Sequence, residues 1–381
     1  MTGRRRILHV ITRLEPGGAQ RNTLYTVAHL DRREFSPVLA WGPGDPLDDE
    51  ARRLDGVELC PVPDLARPVR PWRDLRALAG LRRLIRRVQP DVVHTHSSKA
   101  GILGRLAARL ERAPAVVHSI HGYGFTPLQP PATRAAFLAA ERLAARWTDR
   151  FVAVARSDLE RGVALGLFPR ERVVLIRSGI ELGRFRAADP GPVRRRLRLP
   201  DGASVVAQVG NFKPQKAPFD FVRAAAAVAG AHPGTVFVMT GDGPLRPAAE
   251  RLAAELVVAD RFCFSGWLDD IAGLLAVTDV SVLTSRHEGL PRAVVESIAA
   301  GVPIVATAVD GTVEVVRDGV TGLLVPPGDI AGLTEAISAL LADPGRRAEM
   351  ARAAGAEDLA EFDIDRMVRD QEELYRCLTH S

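Results

Sequence analysis

Short runs of continuous apolar, largely β-branched residues recur along the whole chain, and longer Ala/Leu/Arg-rich stretches separate them. No other feature narrows the fold as much. In the first half the runs are Ile7–Ile11, Pro37–Ala40, Val92–His94, Ala115–Ser119 and Phe151–Val154. In the second half they are Val205–Val209, Thr235–Thr240, Arg261–Ser265, Val280–Leu283, Ile304–Ala306 and Gly322–Val325. A strand that is apolar on both faces is covered on both faces, and alternation with helices then makes the sheet parallel. Two such series in succession predict two doubly wound domains, and 381 residues suffice for two cores. The break is expected in Phe185–Asp201, a stretch without strand pattern that is basic at Arg194, Arg195, Arg196 and Arg198. This gives domains over 1-187 and 200-360, and a C-terminal helical segment over 361-381. Open parallel sheets bind ligands beyond the carboxyl ends of their strands, so the loops after strands are where chemistry is expected.

Charge and cysteine content exclude other classes. A net charge of +5, from 51 basic and 46 acidic residues, is too small an excess for a dedicated nucleic-acid binder. Cys60, Cys263 and Cys377 lie far apart, with neither disulfide nor metal spacing, and read as thiols of a reducing compartment. The basic start Met1–Arg6 leads into an apolar run too short for a signal or spanning segment, and no later stretch reaches about 18 uncharged apolar residues. The expected location is cytoplasmic, or peripheral on the inner face of the cell membrane.

The densest chemical signal runs from Ser285 to Glu296, after the strand Val280–Leu283. Pro291 suits a first helical turn, where its missing N–H is not needed, and Gly301 before Pro303 suits the end. Gly289 and Leu290 then offer backbone N–H groups at a helix N-terminus, where anions bind. A carboxylate 4 Å from a phosphate is repelled by about 1 kcal/mol even in water. Glu288 and Glu296 therefore make sense as acceptors for hydroxyls on either side of a diphosphate, with Glu288 on a sugar and Glu296 on a ribose. On spacing alone, two solvated helix-end charges explain them equally well.

The ordered set of motifs resembles retaining glycosyltransferase family 4. Glu288 and Glu296 enclose Gly289-Leu290-Pro291, and Ala299-Ala300-Gly301-Val302-Pro303-Ile304-Val305-Ala306 follows. Asp310-Gly311-Thr312-Val313-Glu314 and Asp318-Gly319-Val320-Thr321-Gly322-Leu323-Leu324-Val325 continue the match downstream, with Gly241-Asp242-Gly243-Pro244 and Asp279-Val280 upstream. The resemblance implies the GT-B fold, in which two Rossmann-like domains face across a cleft and the last helix crosses back to the first domain. Asp363–Leu378, amphipathic at Ile364, Met367, Val368, Leu374, Tyr375 and Leu378, matches that helix.

It also implies a metal-independent hexosyltransferase that takes its sugar from a nucleotide diphosphate. The acceptor is expected to be a glycan or a polyprenyl-linked sugar of a bacterial surface or secreted polysaccharide, with no nucleic acid involved. The family's phosphate-binding Arg and Lys fall in Gly210-Asn211-Phe212-Lys213-Pro214-Gln215-Lys216. Lys216 matches the lysine; Asn211 stands where arginine is usual, and Lys213 is the nearest replacement for its charge. Arg and Lys do not bind phosphate alike, so a binding protein without turnover is one alternative, and a GT-B sugar-nucleotide epimerase is another.

On the acceptor side, Gly17 and Gly18 follow the first strand and permit close backbone approach, though they do not form the dinucleotide fingerprint. A tight turn explains them too. His94 and His96 share one face of a strand but lack a third ligand in sequence, so no metal is expected there. His94 reads as a buried, satisfied histidine, and His96 and Lys99 as residues lining the cleft. The resemblance places His121, in His121-Gly122, against the reacting sugar. Asp269-Asp270 reads as a helix cap. The helix Trp72–Val88 carries an apolar stripe at Leu75, Leu78, Leu81, Ile85 and Val88, with arginines elsewhere. Packing on the sheet accounts for it, and the sharper expectation is a basic face resting on anionic lipid.

Overall fold

The computed structural model describes residues 3–125 and 129–379. Two compact units divide the chain: Met1–Gly179 with Ile364–Ser381, and Ile180–Asp363.

In the first unit, β1 (Arg5–Arg13), β2 (Phe35–Gly42), β3 (Glu58–Pro61), β4 (Val92–His96), β5 (Ala115–Ile120), β6 (Arg150–Ala153) and β7 (Val173–Leu175) form one sheet. The order is β3-β2-β1-β4-β5-β6-β7, and every pairing is parallel. Side chains alternate across it with the two-residue period of a strand. Leu8 and Val10 pack with Val93 against the helices Pro71–Val88 and Ser98–Leu110. Ile7 and Val92 point the other way, toward Ile364, Met367, Val368 and Tyr375 of the C-terminal helix Ile364–Thr379. That helix follows the second unit in sequence and packs in the first, as the GT-B resemblance implies. His9 and His94, which pair in register, share the face of Ile7 and Val92.

In the second unit, β8 (Ser204–Val209), β9 (Thr235–Thr240), β10 (Phe262–Gly266), β11 (Val280–Leu283), β12 (Ile304–Thr307) and β13 (Gly322–Val325) are ordered β10-β9-β8-β11-β12-β13, again all parallel. Both sheets reverse direction beside their first strand, between β1 and β4 and between β8 and β11. Those switch points are where an open sheet leaves a crevice.

Three sequence expectations change. β3 and β7, both at a sheet edge, were not foreseen: β3 begins at exposed Glu58, and β7 is three residues long. Phe185–Asp201 is no free linker. It holds the short helix Gly191–Arg196, and Val193 and Leu199 are buried with Val205, Val238 and Leu274. Exposed Arg195, Arg196 and Arg198 mask these two anchors in the sequence. The stripe on Pro71–Val88 is rotated, with Ala77, Leu81, Leu84, Ile85 and Val88 buried. Leu75 is 56% exposed, beside Trp72 at 80% and Val69 at 69%.

Candidate active site

The loop after β8 reaches the switch point of the second unit. Thr284, just past β11, donates its hydroxyl to the Lys216 carbonyl (2.7 Å) and accepts from Gln208 Nε2 (3.0 Å), tying the two strand ends together. Asn211, Lys213 and Lys216 lie on one turn: Lys213 N–H donates to Asn211 O (2.8 Å) and Lys216 N–H to Lys213 O (2.9 Å). The Gly241–Pro244 motif supports this loop. Gly241 has φ +123°, and a Cβ there would sit 2.2 Å from the Gly210 carbonyl, so only glycine lets the two loops touch.

Glu288 lies at the centre of this site. Its Oε1 is 2.5 Å from Lys216 Nζ and 2.5 Å from Ser285 Oγ, and Gln215 Nε2 approaches Oε2 at 3.4 Å. The Glu288 side chain is 7% exposed and that of Lys216 20%, so the ion pair is largely out of water. Asp310 accepts from the Glu288 N–H (2.7 Å), and Gly311 N–H donates to Gly289 O (3.1 Å). A Cβ on Gly311 would stand 2.1 Å from that same oxygen. The Asp310-Gly311 motif thus fixes the backbone of Glu288-Gly289.

Pro291 is the N-cap of the helix Arg292–Ala299 and lies one position before the expected first turn; Gly301, at φ +68°, follows its end. Glu296 is buried on that helix, with Arg292 Nη2 at 3.3 Å. Asp270 caps a helix by accepting from Gly273 N–H at 2.9 Å.

In the first unit, Thr12 Oγ1 and Ser97 Oγ join the ends of β1 and β4 (2.7 Å). A groove of about 940 Å³ opens there, lined by Arg13, Gln20, Ser98, Lys99 and Phe137 among others. The Lys99 ammonium is held by Asp74 (2.7 Å) and by the Pro68 carbonyl. Gly17 is the N-cap of the helix Gly18–His29, in an extended conformation open to any residue. A Cβ on Gly17 would press only on the movable end of Gln20, at 2.7 Å, with the Glu15 carbonyl at an ordinary 3.8 Å.

His94 is buried and satisfied, by Tyr375 Oη (2.5 Å) and Ser119 Oγ (2.8 Å). His96 borders a small cavity together with Thr26, Ser119, His121 and Arg177. It is 3% exposed, and its ring nitrogens are taken by His9 (3.0 Å) and His121 (3.3 Å). The fold also supplies the neighbour that sequence lacks: ring nitrogens of His9, His94 and His96 lie within 4.8 Å of one another. Burial lowers the pKa of His9 to about 3 and of His121 to about 4, and holds those of His94 and His96 well below 6.5, so all four rings are neutral near pH 7.

Sequence reasoning did not single out Ser285, Gln215 or Asp310 as partners of Glu288, nor His9 and Tyr375 as partners of the other histidines. His9 had a readable signal, a polar residue inside the apolar run Ile7–Ile11. The others depend on contacts between segments far apart in sequence.

Residues 16–184 match the family model for Glycosyltransferase Family 4, and residues 192–356 the model for glycosyl transferases group 1. An Escherichia coli UDP-Gal:alpha-D-GlcNAc-diphosphoundecaprenol alpha-1,3-galactosyltransferase is 31% identical over 337 residues, 87% of each chain. This chain belongs to glycosyltransferase family 4. The lipopolysaccharide core biosynthesis glycosyltransferase LpsE of Rhizobium meliloti is 36% identical to the family 4 chain over 206 residues, 54% of this chain and 58% of LpsE. The crystal structure of Anabaena Alr3699/HepE in complex with UDP-glucose superposes with a TM-score of 0.84 at 22% identity. It covers 98% of this glycosyltransferase and 99% of that chain, which establishes the shared fold.

Proposed function

We propose that this glycosyltransferase moves a hexose from a nucleoside diphosphate donor to a glycan or lipid-linked acceptor during assembly of a bacterial cell-surface polysaccharide. It does so with retention and without a metal. The observation that carries this reading is the Lys216–Glu288 pair at the β8/β11 switch point, with Glu296 on the helix that follows. The donor and acceptor named for the Escherichia coli relative, and the UDP-glucose bound by the Anabaena protein, support the substrate class.

In the proposed step the bond from the sugar C1 to the diphosphate oxygen breaks, and a bond from C1 to the acceptor oxygen forms on the same face. The acceptor proton passes to the leaving phosphate. Lys216 and the N–H groups at Gly289, Leu290 and the start of the helix Arg292–Ala299 neutralise the departing charge, with Lys213 and Asn211 on the phosphate loop beside them. Glu288 accepts hydroxyls of the sugar, Glu296 those of the ribose, and His121 hydrogen-bonds a sugar hydroxyl. Gly17, Gly18 and Lys99 border the acceptor. NMR of the product's anomeric proton tests retention, and an undiminished rate in EDTA tests metal independence.

A matching nucleoside diphosphate at 100 times its dissociation constant stabilises by about 2.7 kcal/mol, a rise in midpoint of roughly 5–10 °C. Thermal melts across a panel of nucleotides are expected to show this rise for one base in the wild type and to lose most of it in Glu296→Ala. A response that survives in the variant removes Glu296 from the site.

The arginines of the helix Pro71–Val88 are largely ion-paired: Arg73 and Arg76 with Asp64, Arg82 and Arg86 with Glu111, and Arg87 with Glu58. Exposed Trp72, Leu75 and Val69 therefore give the better membrane anchor. Co-sedimentation with anionic vesicles is expected at low salt and to weaken about thirtyfold in Trp72→Ser, given transfer energies of about 2 kcal/mol for a large apolar side chain. Equal sedimentation of the two proteins counts against this anchor.

A further inference from the structure

Six side chains of the first unit form one continuous buried path, of which the transfer step above uses only His121 at one end. His121 Nε2 lies 3.3 Å from His96 Nδ1, His96 Nε2 lies 3.0 Å from His9 Nδ1, and His9 Nε2 lies 3.4 Å from Tyr375 Oη. Beyond the tyrosine, His94 Nδ1 is 2.5 Å away and His94 Nε2 is 2.8 Å from Ser119 Oγ. The two strand partners His9 and His94 place their rings 5.1 Å apart, and the rings of His9 and His96 stack at 7°. His121 Nδ1, at the other end, is buried and has no hydrogen-bond partner among the described residues.

A neutral imidazole has one donor and one acceptor nitrogen, so in such a chain each tautomer fixes the next. The tyrosine sets the direction because its hydroxyl has a single proton and three takers: His9, His94 and Gln371, whose amide is at 3.2 Å. Hydroxyl donors make shorter bonds than N–H donors. The 2.5 Å contact to His94 is accordingly the one the tyrosine donates, and the 3.4 Å contact is one it accepts from His9 Nε2–H. This direction requires the Gln371 amide reversed from its placement in the structure, where Oε1 faces the tyrosine (3.2 Å) and Nε2 faces Thr26 (3.3 Å); exchanging oxygen and nitrogen keeps both contacts. With His9 protonated at Nε2, its Nδ1 accepts from His96 Nε2–H, and His96 Nδ1 accepts from His121 Nε2–H. His121 is left with a bare lone pair at Nδ1. Every ring nitrogen of His9, His94 and His96 is spoken for in this arrangement. A metal ion bound by all three would have to break the 3.0 Å contact between two of them.

We infer that Tyr375, on the C-terminal helix, sets the tautomer of His121 through His9 and His96, keeping His121 Nδ1 a hydrogen-bond acceptor. Tyr375 is thus a positioning residue that acts at a distance along the chain of rings. Its use in catalysis rests on the proposed contact of His121 with a sugar hydroxyl, which Nδ1 would receive as an acceptor.

The test is nitrogen NMR of the full chain labelled at histidine, with His121 assigned from His121→Ala. Wild-type His121 is expected to show a pyridine-type Nδ1 and a pyrrole-type Nε2. Tyr375→Phe frees the end of the path, and both His121 signals are expected to move toward the average of the two tautomers. Transfer kcat/KM is expected to fall about five- to tenfold, the worth of one hydrogen bond. His96→Leu cuts the path next to His121 without touching the tyrosine, and serves if the first variant folds poorly. Unchanged His121 shifts in both variants overturn the inference. So does stoichiometric zinc in the purified wild type that is lost in His9→Ala. Shifts that move as expected while His121→Ala transfers sugar at full rate leave the relay standing and refute the role of His121 instead.

Discussion

Acidification from pH 7 to pH 5 is expected to destabilise the first unit by at least about 4 kcal/mol, a large share of what a typical domain has in total. Five histidines there, His9, His94, His96, His118 and His121, have pKa values driven down by burial. For His118, the neighbouring Arg105 pushes the same way. In the unfolded chain each returns to about 6.5. A base whose folded pKa lies below its unfolded one binds more protons when unfolded, so stability falls as pH drops through the unfolded value. It goes on falling until the folded pKa is reached, which for His9 is about 3. Between pH 7 and pH 5 His9 and His121, whose folded pKa values lie below that window, each remove about 2 kcal/mol, and His94, His96 and His118 act in the same direction. Glu111, held below the usual carboxylate range by Arg86 and Arg82, loses its contribution at still lower pH and in the same direction.

Calorimetric melts at pH 7, 6 and 5, with hydrogen exchange to locate the change, would read this out. The expected result is a transition in peptides of β1, β4 and β5 that falls by roughly 10 °C or more, with uptake of about two protons or more on unfolding at pH 5. A midpoint that stays constant over this range means the rings protonate in the folded state, and the buried path of neutral rings fails with it. Replacing His118, which lies outside that path, with glutamine is expected to reduce proton uptake by one.

The two parallel sheets were legible because central strands in a doubly wound domain are apolar on both faces, a pattern that survives without knowledge of tertiary contacts. What the pattern hid follows from the same physics. β3 and β7 border one neighbour each and can be short or polar: β3 opens on exposed Glu58, and Val173–Leu175, though apolar and β-branched, is only three residues long. Val193 and Leu199 needed only two apolar positions to seat the basic stretch in the second core.

At the site, Glu288, Glu296, Gly289 and Lys216 could be picked out because the motifs bring them within one strand-loop-helix element and the loop after β8. Ser285 and Gln215 around Glu288 were within reach of the same motifs, yet nothing in their spacing shows that they bond to it. The histidine path was not legible. It is assembled from β1, β4, the end of β5 and the last helix, with His9 and Tyr375 separated by 366 positions. Only the register of His9 beside His94 brings the rings together.

Lys216→Met is expected to lower the transfer rate by about 10²–10³, the usual loss when a donor aimed at developing negative charge is removed. It is also expected to destabilise the second unit, because the buried Glu288 side chain loses its ammonium partner and is left with Ser285 and Gln215. Removing one member of a buried pair costs about 3–5 kcal/mol, and the partial exposure of Lys216 brings this toward the lower figure. For a unit of this size that is a fall in midpoint of roughly 5–10 °C. Glu288→Gln leaves a lysine that water can reach, so its stability loss is expected to be smaller although its activity loss is comparable. The double variant separates the two roles. With no charge left in the pocket, its midpoint is expected to recover most of what Lys216→Met lost, while transfer stays as low as in the worse single variant. A double variant that regains activity would mean Lys216 serves only to neutralise Glu288. A Lys216→Met enzyme that melts early and still turns over at the wild-type rate would remove the lysine from the diphosphate and leave it a structural partner.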